Sequence, residues 1–564
     1  MKPNVRGGDP HESTVRSVRT CRQARRIALG GLLICVLGQL LIDASARNLA
    51  CVFIAVITSA ITFHFVIRGS IFRAMPLPAL IVLGFNVSTM SGALIAQTAS
   101  LRPLVFNLQV PEITFALCAL FQVSLLAALF TFLSSSTLRA ASRTVTRRVL
   151  KPMGIMQAPT PGQLWIMGFM GSAAMAWTAS QGYSGQIQYG DMGSKLVAGL
   201  GYLAFAPFLL PILEKAFPSS HSSSRGKISS WPLIGYLALL VLIAIIRNSR
   251  GTFAMGVANL GMAALVLILM GQLRVTQKLR RRLAIGAVII LIAAPILSDL
   301  ATAMVVVRGQ RTEVSSIELV RRTLSAFNDK QALEDYRQAA AIFTGSGEYE
   351  ENYLANPFVA RFVQTKFFDN SLSYEDVRTG QHTSHLWNVT LDKIMAYLPT
   401  QALTLLGIDI NKEDLQFSVG DALYNAHSGT GLGGYRTGSP IGHGMGLMGL
   451  FTFIVAIPLF LLAFMALQSL TASVGSLVLI SPVILLQLMS VYGLAVGDSL
   501  LDPIGLMLRG LPQNILIYWM AFHGTRWIGI FSSRRRRSFH PRTHRLSSGQ
   551  ASGLNPVKPT RFNP

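Results

Sequence analysis

Long apolar segments recur along the chain and predict membrane-spanning helices. Each is close to the roughly 20 residues that a helix needs to cross the hydrocarbon core of a bilayer. We expect about twelve spans, near residues 27–42, 49–67, 76–97, 111–134, 162–180, 196–213, 231–246, 253–271, 283–303, 446–468, 476–496 and 511–530. The sequence contains no internal repeat. The pattern therefore predicts an all-α polytopic integral membrane protein.

One long polar segment, from about Arg308 to Met445, interrupts this pattern. It carries 12 basic and 16 acidic residues, unlike the apolar segments around it. Apolar residues at helical spacing predict a helix over 315–343, a second over 352–368 interrupted at Pro357, and one or two surface helices over 386–406 broken at Pro399. The last part, 418–449, is rich in Gly, Tyr and His and leads directly into the tenth span.

These segments divide the chain into five parts. They are a basic tail over 1–26, spans one to nine within 27–307, the large loop over 308–445, spans ten to twelve within 446–530, and a basic tail over 531–564. The first span ends at Asp43-Ala44-Ser45-Ala46, which resembles a signal-peptidase site. Because the basic region before it is long for a cleaved signal, we expect a retained first helix. Arg534–Arg537 would anchor the last tail on anionic lipid.

The distribution of positive charge predicts the orientation in the membrane. With the N-terminus inside, the inner tails, loops and adjoining span ends hold 31 of the 49 Lys and Arg residues. The outer loops hold 18, of which 12 lie in the large loop, which the positive-inside rule does not govern. The remaining imbalance of 31 to 6 places both termini in the cytoplasm. The large loop then faces the periplasm, if the cell is Gram-negative.

Composition excludes several classes of protein. The 564 residues are 51% hydrophobic and only 13% charged, which excludes an ordinary soluble domain. A net charge of +24 would indicate nucleic-acid binding in a soluble chain, but here membrane orientation accounts for it, and no zinc-finger or basic–aromatic pattern is present. The four cysteines lie outside the large loop and lack metal-ligand spacing, so we expect no metal site and no cofactor. Nucleotide-binding, zinc-protease and serine-nucleophile motifs are also absent from the sequence.

Arginines at the predicted outer face are the first candidates for a binding site. Arg247 and Arg250 lie between the seventh and eighth spans, and Arg308 and Arg311 follow the ninth. An arginine at membrane depth costs roughly 2.5–3.5 kcal/mol, so it indicates a functional site. Its planar guanidinium binds phosphate oxygens in two places, which suits a lipid-linked diphosphate. The alternative is that these side chains only extend to the membrane surface. Asp299 would orient one of them or form a plain salt bridge.

Histidines near the end of the large loop are the candidates for catalysis. His427 belongs to Asp421-Ala-Leu-Tyr-Asn-Ala-His427, and His443 lies between two glycines at the start of the tenth span. Either imidazole could accept a proton near neutral pH, with Asp421 as a further candidate base. The alternative for each histidine is an ordinary surface residue. His382 and His385 fit that alternative, and Asp43, which stands alone, gives only weak support to a metal site.

Three features resemble the O-antigen polymerase and ligase superfamily of bacterial inner membranes. The first is the arginine-containing outer turn Asn248-Ser249-Arg250-Gly251-Thr252 before an apolar span. The second is one large loop between spans nine and ten. The third is the glycine-rich end of that loop, 438–449, running into a helix. Pro399 followed by Asn411-Lys412 is similar to a proline-then-lysine pattern of the polymerases.

This resemblance implies a helical membrane glycosyltransferase of the GT-C type. It would use an undecaprenyl-diphosphate-linked oligosaccharide, with arginines binding the diphosphate without metal and a base deprotonating the acceptor hydroxyl. Ligases have a His-Asn pair, whereas this chain has the order Asn425-Ala426-His427, so we expect a repeat-unit polymerase. Membrane lipids and a chain-length regulator protein would be its partners. The alternatives are an O-antigen ligase, a polysaccharide transporter or flippase, and a non-catalytic assembly protein.

Overall fold

A computed structural model gives the arrangement of most of the chain. It describes residues 10–180, 192–217, 231–247, 251–307, 314, 316–342, 349, 353–354, 359–379, 383–429, 431–474 and 477–538. Nearly all of these residues are helical, with one short hairpin of strands. The all-α class predicted from hydropathy is therefore confirmed.

Six helices within the described residues are long and apolar enough to cross a membrane. They are Glu12–Ile42, Ala46–Val66, Pro76–Ala99, Pro111–Ser134, Leu196–Ala216 and Phe451–Gln468. Two shorter apolar helices, Trp231–Ile246 and Ala254–Leu269, cover the predicted seventh and eighth spans. A membrane protein with several spanning helices follows from these lengths, whereas the total of about twelve spans stays a prediction.

The helices before the large loop follow the predicted spans closely. They are Pro10–Ile42, Ala46–Val66, Gly69–Ala74, Pro76–Asn86, Gly92–Ala99, Pro111–Ser134, Ser136–Val145, Pro161–Ser180, Met192–Leu200, Leu213–Ala216, Trp231–Ile246, Gly251–Leu269 and Gln277–Val306. Wider π-helical turns occupy Val87–Ser91 and Thr146–Leu150, and a tighter 3₁₀ helix occupies Gly201–Ile212. The 3₁₀ segment contains Pro207 and Pro211, which cannot continue the hydrogen-bond ladder of an α-helix.

The basic N-terminal tail is helical from Pro10 onward and continues into the first span without a break. Its polar residues contact the chain near the end of the predicted eighth span. The Ser17 hydroxyl donates to the Leu269 carbonyl at 2.6 Å, and the Arg16 guanidinium donates to the Gly271 carbonyl at 3.2 Å. These tertiary contacts stabilise a helix that apolar periodicity alone does not predict.

The predicted eleventh span, 476–496, is not one continuous helix. Antiparallel strands Thr471–Val474 and Leu477–Ile480 lead into the short helices Pro482–Leu485 and Leu488–Tyr492 and the 3₁₀ turn Leu494–Val496. Irregular backbone at membrane depth is tolerated where protein surrounds it and supplies its hydrogen bonds. Asn259 does so here, because its amide donates to the Leu486 carbonyl at 2.9 Å and its oxygen accepts from the Met489 N–H at 2.9 Å.

Segments predicted to share one side of the membrane meet in the structure. At one end, which we call the inner end, Thr146 donates to the Ser469 carbonyl at 2.6 Å and Gln468 donates to the Ala74 carbonyl at 2.9 Å. At the other, the outer end, Tyr353 donates to the Leu104 carbonyl at 2.8 Å. This grouping agrees with the predicted alternation of loops. Which end faces the cytoplasm stays a prediction.

The large loop forms short helices packed on the outer end. They are Ser316–Asn328, Lys330–Ile342, Thr365–Leu372, Glu375–Thr379, Thr383–Ala396, Thr400–Leu405, Val419–Ser428 and Pro440–Met448, with a 3₁₀ turn at Val359–Phe362. The single helix predicted over 315–343 is wrong, because Asp329 breaks it and its carboxylate accepts from the Ala332 N–H at 3.0 Å. The second predicted helix, 352–368, has a described portion that becomes α-helical only from Thr365. The predicted break at Pro399 is confirmed.

The remaining helices complete the bundle after the loop. They are Phe451–Gln468, Asp502–Gly505 and Leu511–Ser538, with a π turn at Leu506–Gly510. The helix predicted to begin at residue 446 is interrupted at Gly449, whose φ of 56° is in the left-handed region that favours glycine. The loop therefore ends in its own helix, Pro440–Met448, before the long helix begins.

A buried ion pair docks the loop onto the bundle. Lys366 and Asp369 are 3.6 Å apart, and their side chains are 2% and 0% exposed. The Asp369 carboxylate accepts from the Gln109 and Val110 N–H groups at 2.8 and 2.9 Å, which precede helix Pro111–Ser134. The first N–H groups of a helix lack partners within it and favour a negative charge. Asp369, a residue of the loop, thereby provides the acceptors for backbone N–H groups at the start of a membrane helix.

Candidate functional site

His427 lies in a cluster formed by three loop helices. Its Nδ1 is 3.8 Å from a carboxylate oxygen of Asp376, and its ring stacks on Tyr374 with centroids 6.1 Å apart. The His427 side chain is only 1% exposed, whereas that of Asp376 is 36% exposed. On the opposite side of the ring, Nε2 would lie 4.0 Å from a Cβ placed on Gly446. We call Tyr374, Asp376 and His427 the His427 cluster.

The helix that carries His427 has strong local determinants. Ser418 and Asp421 form a capping box at the start of Val419–Ser428, each side chain accepting from the other residue's N–H. Gly429 ends the helix with a φ of 66°, a conformation that glycine adopts without strain. The sequence placed Asp421 among the candidate bases. Its local pattern is also that of a helix N-terminus.

Asp421 binds the loop that follows His427. Its buried carboxylate accepts from the Tyr435 N–H at 2.7 Å and the Arg436 N–H at 3.0 Å, and the Arg436 guanidinium lies 3.6 Å away. These bonds add to the capping box, so several backbone donors occupy the two oxygens. The arrangement fixes the glycine-rich segment against the His427 helix. A catalytic role for Asp421 stays a prediction.

Asp498 joins the same helix to the last part of the bundle. Its carboxylate accepts from the N–H groups of Val419 at 2.9 Å, Gly420 at 3.4 Å and Gly438 at 2.5 Å. A Cβ on Gly420 would lie 2.2 Å from the Arg436 carbonyl oxygen, so only glycine allows this approach of two backbones. Burial raises the pKa of Asp498 above its ordinary value, while the three N–H donors act in the opposite direction.

Asp502 is a second, partly buried carboxylate in this region. Burial and the nearby charge of Asp498 raise the pKa of Asp502 to about 7. Its oxygens accept from the Ser499 N–H at 3.4 Å and from the Ser499 hydroxyl at 3.5 Å. Neither Asp498 nor Asp502 was proposed as a site residue from the sequence, because nothing local brings them to the His427 helix.

His443 is completely buried beside the His427 cluster. Its Nε2 lies 2.9 Å from the Thr390 hydroxyl, and no described residue provides a hydrogen-bond partner for Nδ1. Burial and the positive charge of Lys393 lower the pKa of His443 to about 3. A base with so low a pKa accepts a proton poorly near neutral pH. His427, by contrast, has a carboxylate oxygen 3.8 Å from its Nδ1.

Lys393 lies beneath these histidines and was missed in the sequence. Its ammonium donates to the carbonyls of Leu415 at 3.2 Å and Phe417 at 2.7 Å. Burial lowers the pKa of Lys393 to about 8, although Asp498 and Asp421 act in the opposite direction. The lysine belongs to an amphipathic helix, and the spacing of apolar residues along that helix does not predict that Lys393 is buried.

Arg378 is a further residue that the sequence did not reveal. It lies two residues after Asp376 in helix Glu375–Thr379, which packs on helix Pro440–Met448. Its Nε is buried, and no described residue accepts a hydrogen bond from it. A buried guanidinium nitrogen can supply positive charge where an anion binds.

The predicted arginine site is described only in part. Arg247 is half-buried at the end of helix Trp231–Ile246, which packs against helix Ser316–Asn328 of the loop. Arg250, Arg308 and Arg311 lie outside the described residues. Asp299 forms an ion pair with Lys330 of the loop at 2.6 Å, in line with the salt-bridge alternative.

Other predicted features have simple places in the structure. Lys412 donates to the carbonyl of Leu398, so the lysine lies across the turn made by Pro399. His385 is exposed on helix Thr383–Ala396, while His382 lies outside the described residues. Asp43 accepts from the Ser45 N–H and hydroxyl at 2.9 Å each. The described residues contain no group of three or more His, Cys, Asp or Glu suited to a metal ion.

The described geometry thus combines, at the outer end, a histidine–carboxylate pair, an arginine on the same short helix as that carboxylate, and two further carboxylates that each accept several backbone hydrogen bonds. Such an arrangement can accept a proton and bind an anion. Comparisons of the chain with protein-family models, with curated proteins and with solved structures found no match.

Proposed function

We propose that the chain is a polysaccharide repeat-unit polymerase of the bacterial inner membrane, a glycosyltransferase of the GT-C type. It would transfer a glycan from an undecaprenyl-diphosphate donor to a sugar acceptor at the periplasmic face. The observation that carries this proposal is the pairing of His427 with Asp376, 3.8 Å apart, in a loop packed on the outer ends of apolar helices. The sequence resemblance supplies the substrate class.

The chemistry needs one base and a means of stabilising the leaving group. An acceptor hydroxyl oxygen forms a bond to the anomeric carbon of the donor, and the bond from that carbon to the diphosphate breaks. The diphosphate leaves with the bonding electrons, and the base takes the hydroxyl proton. Nε2 of His427 would be that base, because Asp376 near Nδ1 stabilises the imidazolium that forms.

Arginines would stabilise the negative charge of the diphosphate. Arg247, Arg250, Arg308 and Arg311 are the candidates from the sequence, and Arg378, on the same short helix as Asp376, adds a fifth. A guanidinium placed where charge develops lowers the barrier because it needs no rearrangement during the reaction. Asp421 and Asp498 would act as positioning residues, since their carboxylates hold the backbone around the His427 helix.

One observation favours a second candidate, a transporter of the same lipid-linked glycan. The broken segment 482–496 crosses the interior of the bundle, and Asn259 and other polar groups satisfy its backbone. Discontinuous membrane segments form substrate sites in many transporters. A transporter would move the donor across a bilayer and would form no new glycosidic bond.

A cell-based test uses His427 and a matched control. In cells that depend on this chain for their surface polysaccharide, His427→Ala should abolish long glycan chains. His385→Ala changes an exposed histidine of the same loop and should leave chain length unchanged. Both variants are compared at equal protein levels. Normal polymer from His427→Ala would show that His427 is not the base. If the wild-type protein forms no glycosidic bond but its loss stops glycan export, the transporter is favoured.

A further inference from the structure

A cleft at the inner end of the bundle carries an unusual concentration of positive charge. Its volume is about 190 Å³, and Arg139, Arg143, Arg147 and Lys151 line one wall. The opposite side is formed by the end of helix Phe451–Gln468 and the strand that follows it. None of the residues lining the cleft is acidic.

The four basic residues form one stripe. They are spaced four residues apart along helix Ser136–Val145, the π turn Thr146–Leu150 and the residue after it. Arg139 and Arg143 each donate from Nε to a helix carbonyl, at 3.3 and 3.2 Å. Within the described part of the chain, none of the four forms an ion pair with a carboxylate. Four like charges close together repel one another, so an anion in the cleft would stabilise the arrangement.

The walls of the cleft are held by buried hydrogen bonds. The Ser142 hydroxyl donates to the Met465 carbonyl at 3.0 Å, and the Thr146 hydroxyl donates to the Ser469 carbonyl at 2.6 Å. These bonds fix the basic stripe against the end of a membrane helix. The cleft is therefore built into the packing of the bundle.

Apolar side chains on another face of the same segment indicate contact with lipid. Val145 and Val149 are 44% and 49% exposed and lie four residues apart, each two residues from the nearest members of the basic stripe. An amphipathic segment with basic and apolar faces lies at the boundary between headgroups and acyl chains. Because the segment begins directly after helix Pro111–Ser134 ends, the cleft is at headgroup depth.

We propose that this cleft binds the phosphate of an anionic glycerophospholipid. Arginine guanidiniums would bind the phosphate oxygens in two places, and the exposed valines would contact the acyl chains. The Gln468 amide donates to the Ala74 carbonyl, while its oxygen is buried with no described partner. That oxygen can accept a hydrogen bond from a headgroup hydroxyl, which favours a glycerol headgroup. This site is separate from the His427 cluster and does not depend on the proposed function.

The test measures lipid binding to the full chain purified in detergent. Dioleoyl phosphatidylglycerol and dioleoyl phosphatidylcholine are added separately, and retained lipid is counted by native mass spectrometry. We expect the phosphatidylglycerol to bind at least tenfold more tightly. Replacing Arg139, Arg143 and Arg147 by glutamine should weaken that binding at least tenfold. The control Lys278→Gln, Arg280→Gln, Arg281→Gln removes the same charge from exposed positions at the predicted inner side and should change binding less than twofold.

Two further arms keep the proposal falsifiable. The lysine triple Arg139→Lys, Arg143→Lys, Arg147→Lys keeps the positive charge of the cleft. It should lose part of the affinity for phosphatidylglycerol, because lysine lacks the planar guanidinium that binds phosphate in two places. Equal binding by wild type and both cleft triples would overturn the site. Inorganic phosphate alone is added in a separate sample. If it protects the chain against thermal unfolding as well as the phosphatidylglycerol does, the ligand is a soluble phosphate and the lipid assignment is wrong.

Discussion

The outer and inner ends of the molecule use charge in opposite ways. At the outer end, Asp369 and Asp421 are buried and Asp498 is partly buried, and each accepts hydrogen bonds from backbone N–H groups. At the inner end, Arg139, Arg143 and Arg147 line an open cleft without a carboxylate among its lining residues. A buried charge persists only when partners compensate its lost hydration, whereas an exposed charge needs no partner.

This difference separates charged groups that hold the structure together from charged groups that are available to bind a ligand. The outer-end carboxylates already accept several hydrogen bonds, so they hold the loop in place. In the proposed mechanism the proton transfer is left to His427, with Asp376 beside it. The inner-end arginines are paired with no carboxylate in the described residues, so their phosphate-binding capacity is available. Burial and saturation of each charge, rather than its residue type, therefore indicate which groups meet a ligand.

The largest expected effect concerns which end faces the cytoplasm. A reporter active only in the cytoplasm should be active when fused after Lys151 and inactive when fused after Asp414. The 31-to-6 imbalance of Lys and Arg gives this orientation. Fusions to alkaline phosphatase, active only in the periplasm, supply the reciprocal measurement. A cytoplasmic large loop would contradict both the proposed function and the assignment of the lipid cleft.

Breaking the buried pair at the outer end should have the next largest effect. Asp369→Ala leaves Lys366 buried without its carboxylate, and the start of helix Pro111–Ser134 loses two hydrogen bonds. We expect a loss of about 3–5 kcal/mol in the free energy of unfolding, measured by thermal unfolding in detergent. Glu112→Gln removes the half-exposed pair with Arg47 and should cost at most about 1 kcal/mol. Similar costs for both variants would show that burial does not distinguish these pairs.

Arg247 tests whether an outer-end arginine binds phosphate or only extends to the membrane surface. If its guanidinium holds the donor diphosphate, Arg247→Lys should shorten the glycan chains nearly as much as Arg247→Ala, about tenfold or more. A lysine reaches the membrane surface as well as an arginine does. Chain length is measured at matched protein levels, with Arg281→Lys at the predicted inner side as the control. Full-length polymer from Arg247→Lys would make Arg247 merely interfacial.

The smallest effect should come from Asp502 and depend on pH. Its pKa is raised from 3.8 to about 7, so the protonated form is the one that folding favours. This contribution to stability is complete below about pH 4 and is lost as the pH rises through 7. Asp502→Asn stays neutral and should therefore be more stable than wild type at pH 8, by about 1 kcal/mol, but not at pH 4. Asp392→Asn changes an exposed carboxylate and should not alter the pH dependence of the melting temperature.

Local patterns allowed much of the fold to be predicted from the sequence. The apolar runs gave helices such as Pro111–Ser134 and Trp231–Ile246 at nearly their observed bounds. Pro399 broke a helix where expected, because proline cannot continue the hydrogen-bond ladder. These features depend on neighbouring residues, so one sequence is enough to find them.

Features set by distant contacts could not be predicted. The bond from Val419 to Asp498 joins residues 79 positions apart, and Lys366 reaches the Asn107 carbonyl across 259 positions. The break in the predicted eleventh span depends on Asn259 from another helix. At the candidate site, the sequence pointed to His427 as a base, and that role stays a prediction. Its partner Asp376 was missed, because nothing in the sequence brings the two residues together.

The most direct test of the account is the rate of glycosidic bond formation by the purified full chain. The protein is reconstituted with an undecaprenyl-diphosphate oligosaccharide, and donor binding is measured in parallel. We expect His427→Ala to lower turnover by about two to four orders of magnitude while donor binding stays within about twofold. Asp376→Asn should lower turnover less and shift the pH dependence of the rate to lower pH, because the carboxylate no longer stabilises the imidazolium. Undiminished turnover in His427→Ala, with the His385→Ala control equally active, would contradict the central claim.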